Sequence, residues 1–456
     1  MRIKLDYPIT LSEIVASTSG TYYNIKERNF NYISTDSREV FKNDLFFALS
    51  GEKYNGENFV NDAIKKGAIA ISNKSSKGCI SVKNTKDALL NLASSYKKKF
   101  TNLKHTVAIT GSVGKTTTKE FLYVLANEKY KTHATYKNQN NDIGVPITLF
   151  SMPRDTEVLI VEMGMNHSGE IGKLSRCASP DIAIILNIGT AHIGNLGSRE
   201  NIAKTKLEVT EGLGNNPVLI PKNEPLLECK TPHLTFSTTD KNADFYLKKD
   251  EDGGISFYSH NNLLLTSKFH LKEEQYLNCL SAATSAAVSL GLDALDLSRG
   301  ISLISYDNTR QSVIFAKDIY FLADLYNASL ESIKAGLEAV NSMPDHHRKS
   351  ILLGDVLELG DKTEEIHKEI GRLISGYNFH NIYLFGKYSS YTRNSAIENG
   401  FPKRRIYINE DTEAPEITAD QIKAHHTEGE IILVKGSRGM RLERILRYFD
   451  INDLRL

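Results

Sequence analysis

The chain has 456 residues, of which 40% are hydrophobic and 24% are charged. This composition is that of an ordinary globular protein, and the length predicts roughly two to four domains. The 56 basic residues nearly balance the 55 acidic ones, which argues against a nucleic-acid partner or an anionic membrane surface. The N-terminus lacks the apolar segment of a signal peptide, and no run of about 18 apolar residues occurs. We therefore expect a cytoplasmic protein without membrane insertion.

Four cysteines lie far apart, and no two form a Cys-x-x-Cys pair. This spacing predicts reduced thiols rather than a disulfide framework or a zinc site. The cysteines are Cys79, Cys177, Cys229 and Cys279.

The first hundred residues mix short strands and helices. The pattern predicts an apolar strand at Leu45–Leu49 and an amphipathic helix near Phe59–Lys66. The lysine-rich stretch Ser95–His105 ends a further helix, and we interpret it as a solvated linker rather than a binding patch.

Strands and helices alternate from about residue 103 to 306, and polar residues follow each strand. Such alternation predicts a mainly parallel sheet covered by helices. A β-rich insertion is expected at 244–271, before the Ala-rich helix Cys279–Leu290. The predicted strands of this region are Val107–Ile109, Val158–Val161, Ile182–Leu186 and Val218–Ile220.

The alternation resumes from about Thr309, which predicts a second doubly wound α/β unit. The sequence therefore predicts three domains of the α/β class. The predicted strands of the last domain are Ile319–Leu322, Ile351–Leu353, Ile382–Phe385, Ile406–Ile408 and Ile431–Val434.

The stretch Val107–Lys119, VAITGSVGKTTTK, carries the clearest functional signal. A strand, a glycine loop and a helix N-terminus place backbone N–H groups and the Lys115 ammonium around a phosphate. The longer Walker A motif has one more glycine, where Ile109 stands here. A simple glycine turn is the alternative, and it gives Lys115 no role. We expect ATP binding by Gly111, Ser112, Val113, Gly114, Lys115, Thr116 and Thr117.

Two further polar residues follow strands of the same sheet. Glu162 follows Val158–Val161, and open α/β sheets bind ligands at the carboxyl ends of their strands. Its carboxylate and the Thr116 hydroxyl are hard oxygen donors that suit Mg²⁺. His192 follows the next strand in a glycine-rich loop, which favours a role in the site over simple exposure. Lys206 starts the following helix, where lysines ordinarily face solvent, and the local pattern indicates nothing else.

Three polar loops have two interpretations each. The asparagine-rich loop Thr135–Pro146 is either a structural turn or a surface that hydrogen-bonds a sugar or peptide. Residues 326–329 and 435–438 follow strands of the last domain, so they border one crevice that faces the phosphate loop or merely cap helices. The Lys435–Arg438 turn would offer a carboxylate a cationic, N–H-rich partner.

Together these stretches resemble the Mur ligases, the ATP-dependent amide-forming enzymes of peptidoglycan precursor synthesis. The resemblance covers almost the whole chain, and the combination of motifs is specific although each motif alone is weak. The motifs ADLYNAS, GDVLELG followed by His367, and KGSRGMRLE most resemble the family member that uses D-alanyl-D-alanine. The other matching stretches are STDSR, LFFALSG, TGSVGKTT, NNDIGVP, EMGMNHSGEI and NIGTAHIGNLGS.

The resemblance implies three domains: a UDP-substrate-binding α/β domain at 1–102, a central ATP-binding domain at 103–308 with a mainly parallel sheet, and a Rossmann-like ligase domain at 309–456. It implies that ATP and Mg²⁺ are required to join D-alanyl-D-alanine to a UDP-N-acetylmuramoyl-tripeptide through an acyl phosphate. We also expect a monomer.

The resemblance also implies roles for single residues. Thr116 and Glu162 would bind a first Mg²⁺ and His192 a second. Lys206 would carry a carbamate that reaches the metal, the opposite of the exposed position expected above. The catalytic residues would then be Lys115, His192 and Lys206. Further ATP contacts would come from Asn278, Arg310 and Asp324, and contacts with the uridine diphosphate from Ser37 and Arg38. From the polar loops themselves we expect substrate contacts by Asn140, Asn141, Tyr326, Asn327, Lys435, Ser437 and Arg438.

Two other functions stay open at this point. A related amide ligase, such as an amino-acid-adding Mur enzyme, a folylpolyglutamate synthase or a cyanophycin synthetase-like domain, has a similar pattern. STDSR argues against the folate enzyme, and YNAS with GDVLELG argues against the amino-acid-adding ligases. A nucleotide-binding protein without turnover is the third function, and the intact set of Lys115, Thr116, Glu162, His192 and Lys206 argues against it.

Overall fold

The computed structural model describes residues 1–51, 54–227, 232–269, 274–304, 312–325, 327–343 and 348–451. These residues form three α/β units in chain order, each built around one sheet, which confirms the expected fold class. No helix within them is long and apolar enough to cross a membrane. Cys79, Cys177 and Cys279 are buried and have no disulfide partner there, whereas Cys229 lies outside the described residues.

The N-terminal sheet has six strands in the part of the chain that the structure describes. They are β1 (Arg2–Thr10), β2 (Thr21–Tyr22), β3 (Asn29–Ser34), β4 (Leu45–Phe47), β5 (Ile69–Ser72) and β6 (Cys79–Ser81). The helices are α1 (Leu11–Thr18), α2 (Val60–Lys65) and α3 (Thr85–Lys97). The strand order is β1-β3-β4-β5-β6-β2, and the four central strands are parallel. The predicted strand and helix of this region are β4 and α2.

The central sheet has nine strands among the described residues. They are β7 (His105–Thr110), β8 (Thr132–Ala134), β9 (Val158–Glu162), β10 (Ile182–Ile185), β11 (Val218–Pro221), β12 (His233–Ser237), β13 (Phe245–Lys249), β14 (Ile255–Ser259) and β15 (Asn262–Ser267). The helices are α4 (Lys115–Ala126), α5 (Gly144–Phe150), α6 (Glu170–Ala178), α7 (Ile193–Leu196), α8 (Arg199–Leu207), α9 (Glu274–Ser289) and α10 (Ala294–Leu303). The order is β15-β14-β13-β12-β11-β10-β7-β9-β8, parallel up to β13 and antiparallel beyond it.

The C-terminal sheet has six strands among the described residues. They are β16 (Ser312–Ala316), β17 (Ile319–Asp324), β18 (Lys349–Gly354), β19 (Ile382–Phe385), β20 (Ile406–Asn409) and β21 (Glu430–Lys435). The helices are α11 (Leu330–Asn341), α12 (Thr363–Ser375), α13 (Ser389–Glu398), α14 (Pro415–His425) and α15 (Glu443–Leu446). The order is β16-β17-β21-β18-β19-β20, and only β16 among these strands is antiparallel to its neighbour.

The parallel strands are buried on both faces because helices cover both sides of the sheets. Every residue of β9, for example, is buried. These runs therefore read as continuous apolar segments, and the strands predicted for the central and C-terminal sheets are confirmed. The predicted boundary after residue 308 falls among residues that the structure does not describe, and both domain boundaries stay predictions.

The lysine-rich stretch Ser95–His105 runs from the last turn of α3 to the start of β7. Lys98 and Lys104 are exposed, as expected for a solvated linker, whereas Lys97 and Lys99 are partly buried. Lys97 Nζ donates hydrogen bonds to the carbonyl oxygens of Ala178 (2.5 Å) and Ser179 (3.0 Å), where α6 ends. Burial lowers the pKa of Lys97 to about 8. Lys99 pairs with Glu13 of α1. Lys97 therefore contacts the carboxyl end of α6, where a cation is favoured, and Lys99 contacts α1.

Candidate active site

The phosphate loop joins β7 to α4 as predicted. Gly114 has φ +86° and precedes the first residue of α4, and a Cβ there would lie 2.9 Å from Cys279 Sγ. Both facts call for glycine at this position. Lys115 Nζ donates to the carbonyl oxygen of Gly111 at 2.7 Å, so its ammonium lies over the loop. The positive end of α4 and this ammonium together make the loop suited to an anion.

Asn187 holds the loop in shape, a role that the sequence pattern did not indicate. Its Oδ1 accepts hydrogen bonds from the backbone N–H groups of Ser112 and Val113, each at 3.0 Å. Its Nδ2 donates to the carbonyl oxygen of Val113 at 3.0 Å. The available signal was the position of Asn187 shortly after β10, which pairs with the phosphate-loop strand β7.

Thr116 and Glu162 lie together beside the loop. Thr116 Oγ1 donates to Glu162 Oε2 at 2.7 Å, and Asn140 Nδ2 donates to Glu162 Oε1 at 2.8 Å. The side chain of Glu162 is 0% exposed. A buried carboxylate needs such partners, and the threonine hydroxyl and carboxylate form the hard-oxygen pair that magnesium prefers. The described residues contain no cluster of three His, Cys, Asp or Glu side chains that holds a metal by itself.

Lys206 is buried, with 2% of its surface exposed, whereas Lys204 on the same helix is exposed. Burial, and then the charge of Lys115, lower the pKa of Lys206 well below its ordinary value. The expectation of a solvent-facing lysine is therefore wrong. The local pattern of α8 did not show this, and Lys206 lies in the last turn of α8 rather than at its start as expected.

A cleft of about 510 Å³ lies between the central and C-terminal units. Polar groups from both sheets line it, together with backbone from the loop after β18. The lining residues are Asn138, Asn166, Thr190, Ala191, His192, Asn327, Ala328, Ser329, Val356, Leu357, Glu358, Leu359, Ser437, Arg438 and Gly439.

Two acidic residues of the C-terminal unit contact the central unit across this cleft. Glu331 accepts hydrogen bonds from the backbone N–H (2.8 Å) and hydroxyl (3.2 Å) of Thr190. Glu358 Oε2 lies 2.8 Å from His192 Nδ1, and this contact lowers the pKa of Glu358. Neither glutamate is indicated by the sequence pattern, because each meets its partner more than a hundred residues away.

Other predicted substrate and nucleotide residues lie in varied places. Asn327, Ser437 and Arg438 line the cleft. Lys435 Nζ instead donates to Asp324 Oδ2 at 2.5 Å and to the carbonyl oxygen of Asn327 at 3.2 Å. These two predicted residues therefore neutralise each other, and neither lines the cleft. Tyr326 and Arg310 lie outside the described residues.

The remaining predicted residues do not line the cleft. Ser37 and Arg38 form a short 3₁₀ turn in the N-terminal unit, where the 87%-exposed Arg38 side chain pairs with Asp36 at 2.6 Å. Asn141 Oδ1 accepts from the backbone N–H groups at the start of α5, which matches the structural interpretation of that loop. Asn278 lies exposed near the start of α9 and accepts from Thr238 at 2.8 Å.

Comparison with known protein families gives one consistent result. Three family descriptions match successive regions: "Mur ligase family, catalytic domain" at residues 29–97, "Mur ligase middle domain" at 109–286 and "Mur ligase, glutamate ligase domain" at 309–438. A UDP-N-acetylmuramoyl-tripeptide–D-alanyl-D-alanine ligase of Bacillus subtilis is 33% identical, over 96% of this chain and 97% of its own. The chain belongs to the Mur ligase family. As a Mur ligase, it is an ATP-dependent ligase.

Further relatives agree with this assignment. A ligase of the same name from Rickettsia prowazekii is 32% identical to this Mur ligase, over 92% of this chain and 95% of its own. Among solved structures, MurF of Acinetobacter baumannii has a TM-score of 0.85 at 26% identity and covers 98% of this chain and 99% of its own. MurF of Thermotoga maritima, solved in complex with ADP, has a TM-score of 0.76 at 28% identity and covers 92% of this chain and 96% of its own.

Proposed function

We propose that this Mur ligase joins D-alanyl-D-alanine to a UDP-N-acetylmuramoyl-tripeptide at the expense of ATP, in the cytoplasmic stage of peptidoglycan synthesis. The observation that carries the proposal is the cleft. It brings the loop that follows β10 in the phosphate-loop sheet against the 327–329 and 437–439 loops of the C-terminal sheet. The similar proteins named above carry this activity in their names.

The reaction forms an amide in two steps. An oxygen of the tripeptide carboxylate attacks the γ-phosphorus of ATP, and the bond between the γ-phosphorus and the β,γ-bridging oxygen breaks. ADP departs, and the tripeptide now carries an acyl phosphate. The D-alanyl-D-alanine amine then attacks the acyl carbon, loses a proton and expels inorganic phosphate. In the first step the protein mainly positions the groups and neutralises charge. The Lys115 ammonium and the N-terminus of α4 supply that charge beside the phosphate loop.

Thr116 and Glu162 have the donor chemistry to hold Mg²⁺ beside the nucleotide phosphates. Such an ion supplies charge neutralisation to a transferring phosphoryl group. We assign the second metal position to His192 and a carbamylated Lys206. The burial of Lys206 supports the carbamate, because only a neutral amine reacts with carbon dioxide and burial disfavours the ammonium.

Arg438 is the cation that the cleft offers to the carboxylate of the dipeptide. Its side chain is about half exposed and its nearest acid, Glu443, lies 3.4 Å away, so the guanidinium can turn toward a ligand. Asn327 and Ser437 offer hydrogen bonds beside it. Lys435 and Asp324, which neutralise each other, then hold the loop that carries Asn327. We assign Ser37 and Arg38 to the uridine diphosphate and Asn278 to the adenine, and we expect the enzyme to act as a monomer.

Phosphate release tests the proposal and separates the three functions. We expect release from ATP that needs Mg²⁺, the UDP-N-acetylmuramoyl-tripeptide and D-alanyl-D-alanine together. Release with the UDP-N-acetylmuramoyl-dipeptide and a single amino acid would instead indicate an amino-acid-adding ligase. Nucleotide binding without phosphate release from any of these mixtures would indicate a protein without turnover.

A further inference from the structure

Residues 356–360, here called the docking segment, follow β18 and precede α12. Its first four residues line the cleft. The carbonyl oxygen of Glu358 accepts a hydrogen bond from the backbone N–H of Gly194 in α7, at 3.0 Å. A Cβ on Gly194 would lie 2.4 Å from the backbone nitrogen of Gly360. The backbones of the two units therefore touch, with no room for a side chain between them.

The docking segment has a shape that needs support. Glu358 has φ +63° although it is not a glycine, and Gly360 has φ +54°. A left-handed non-glycine residue persists only where its surroundings hold it. The supporting groups are therefore part of what makes the contact with Gly194.

His367 provides one support from α12. Its ring is 2% exposed. Nδ1 lies 2.7 Å from the carbonyl oxygen of Thr363, which can only accept, so Nδ1 carries the proton. The unprotonated Nε2 accepts the backbone N–H of Val356 at 3.3 Å. The imidazole is neutral in this arrangement, and burial lowers the pKa of His367 accordingly.

Asp355, directly after β18, provides the second support. Its carboxylate accepts the backbone N–H of Tyr388 at 3.1 Å, and its carbonyl oxygen accepts the backbone N–H of Ser437 at 3.1 Å. Ser437 Oγ in turn accepts the backbone N–H of Leu357 at 2.9 Å. Asp355 thus fixes the docking segment to the loop that carries Arg438. Neither Asp355 nor His367 lines the cleft.

We propose that Asp355 and His367 are positioning residues for the ligation step: they hold the docking segment in the shape that fits Gly194 and His192 of the central unit. This inference rests on the proposed ligase activity. Neither Asp355 nor His367 touches the phosphate loop. Replacing either residue should therefore impair ligation, which needs both units, and should leave nucleotide binding unchanged.

The test compares His367→Leu, which removes the acceptor for Val356 N–H, with His367→Gln, whose amide oxygen can accept it. We expect His367→Leu to lower kcat/KM for D-alanyl-D-alanine by about 10- to 100-fold, because small misplacements of reacting groups have effects of this size. The affinity for ADP should stay within about twofold, and His367→Gln should recover activity to within about fivefold of wild type. The exposed Glu364→Gln on the same helix is the matched control.

Equal activity of His367→Leu and wild type would overturn the inference. A His367→Gln variant as defective as His367→Leu would overturn it too, as would a loss of ADP affinity in His367→Leu as large as its loss of kcat/KM. A wild-type chain without activity on these substrates would instead contradict the proposed function.

If His367→Leu does not fold, Gly194→Ala tests the same contact from the central unit, with Asn195→Ala in α7 as its control. Alanine suits a helix, so Gly194→Ala should show the same kinetic loss with ADP affinity kept. Normal kinetics in Gly194→Ala would count against the docking segment.

Discussion

Glu331 accepts two hydrogen bonds from Thr190, one from its backbone N–H and one from its hydroxyl. Thr190 follows β10 in the central sheet, and Glu331 lies in the first turn of α11 in the C-terminal unit. Gly189 faces the same carboxylate, since a Cβ there would lie 2.7 Å from Glu331 Cδ. A single carboxylate thus links the wall of the cleft to the loop that presents His192.

Replacement of Glu331 by alanine should therefore weaken the contact between the two units. Hydrogen bonds to a charged acceptor contribute about 1.5–3 kcal/mol when buried, and a partly exposed pair contributes less. We expect kcat/KM for D-alanyl-D-alanine to fall about tenfold, with ADP affinity unchanged, as measured by steady-state kinetics and calorimetry. Glu338→Ala, an exposed residue on α11, is the control. An equally impaired Glu338→Ala variant would point to general damage of the helix.

Glu162→Gln should raise the magnesium requirement or lower kcat by about 100-fold, because the carboxylate pairs with Thr116 beside the phosphate loop, at the proposed metal position. The two carboxylate oxygens of Glu162 accept hydrogen bonds from Thr116 and Asn140, and the variant replaces one of these oxygens by an NH₂ group that cannot accept. Magnesium titration of the initial rate measures the effect. Asp155→Asn, an exposed residue shortly before the same strand, should titrate like wild type. The same titration curve for Glu162→Gln would remove this residue from the metal site.

Lys206→Ala should be nearly inactive and regain part of its activity when a small carboxylate such as formate or acetate is added. The reason is that a carbamate supplies oxygen donors, which an ammonium lacks. Lys204→Ala, two residues away and exposed, should keep full activity. Activity of Lys206→Ala that no added carboxylate changes, at any pH, would argue against the carbamate.

Asp355 should make the stability of the protein depend on pH. Burial raises the pKa of Asp355 to about 6, and the nearby Glu410 carboxylate adds to the rise. Hydrogen bonds from the backbone N–H groups of Tyr388 and Lys387 lower the pKa but do not outweigh burial. His367 Nε2 lies 3.8 Å from its carboxylate. Between about pH 4 and 6 the folded protein holds a proton here that the unfolded chain has lost, so this contribution to stability falls as pH rises.

Asp355→Asn lacks that proton equilibrium. As pH rises from about 4 to 7, the melting temperature of Asp355→Asn should therefore increase relative to that of wild type. The slope is at most about 1.4 kcal/mol per pH unit for one proton. Thermal melting over a pH series measures it, and a difference that does not vary with pH would contradict the raised pKa.

Sequence reasoning succeeded where the signal is local. The apolar runs Val158–Val161 and Ile431–Val434 are strands because parallel sheets bury both faces. The phosphate loop was predictable for the same reason, since strand, loop and helix are contiguous. The short edge strand Thr132–Ala134 was missed because none of its three residues is fully buried. The edge strand β16 was missed as well, since Val313 and Phe315 are exposed and give no core pattern.

Long-range contacts explain the other differences. Lys206 looks like a surface residue in its helix, and only the three-dimensional fold buries it. Glu331 and Glu358 meet their partners across the cleft, so no spacing in the sequence indicates them. The sequence therefore predicts the strand, loop and helix around Lys115 well and the contact between the units poorly.

The most direct test of the proposed reaction is mass spectrometry of the product. Wild-type protein with ATP, Mg²⁺, the UDP-N-acetylmuramoyl-tripeptide and D-alanyl-D-alanine should yield a nucleotide heavier by the dipeptide less one water. Lys115→Ala, folded by circular dichroism, should form none of it, because the ammonium over the phosphate loop is lost. Absence of this product with wild-type protein, or near-normal product formation by Lys115→Ala, would contradict the account.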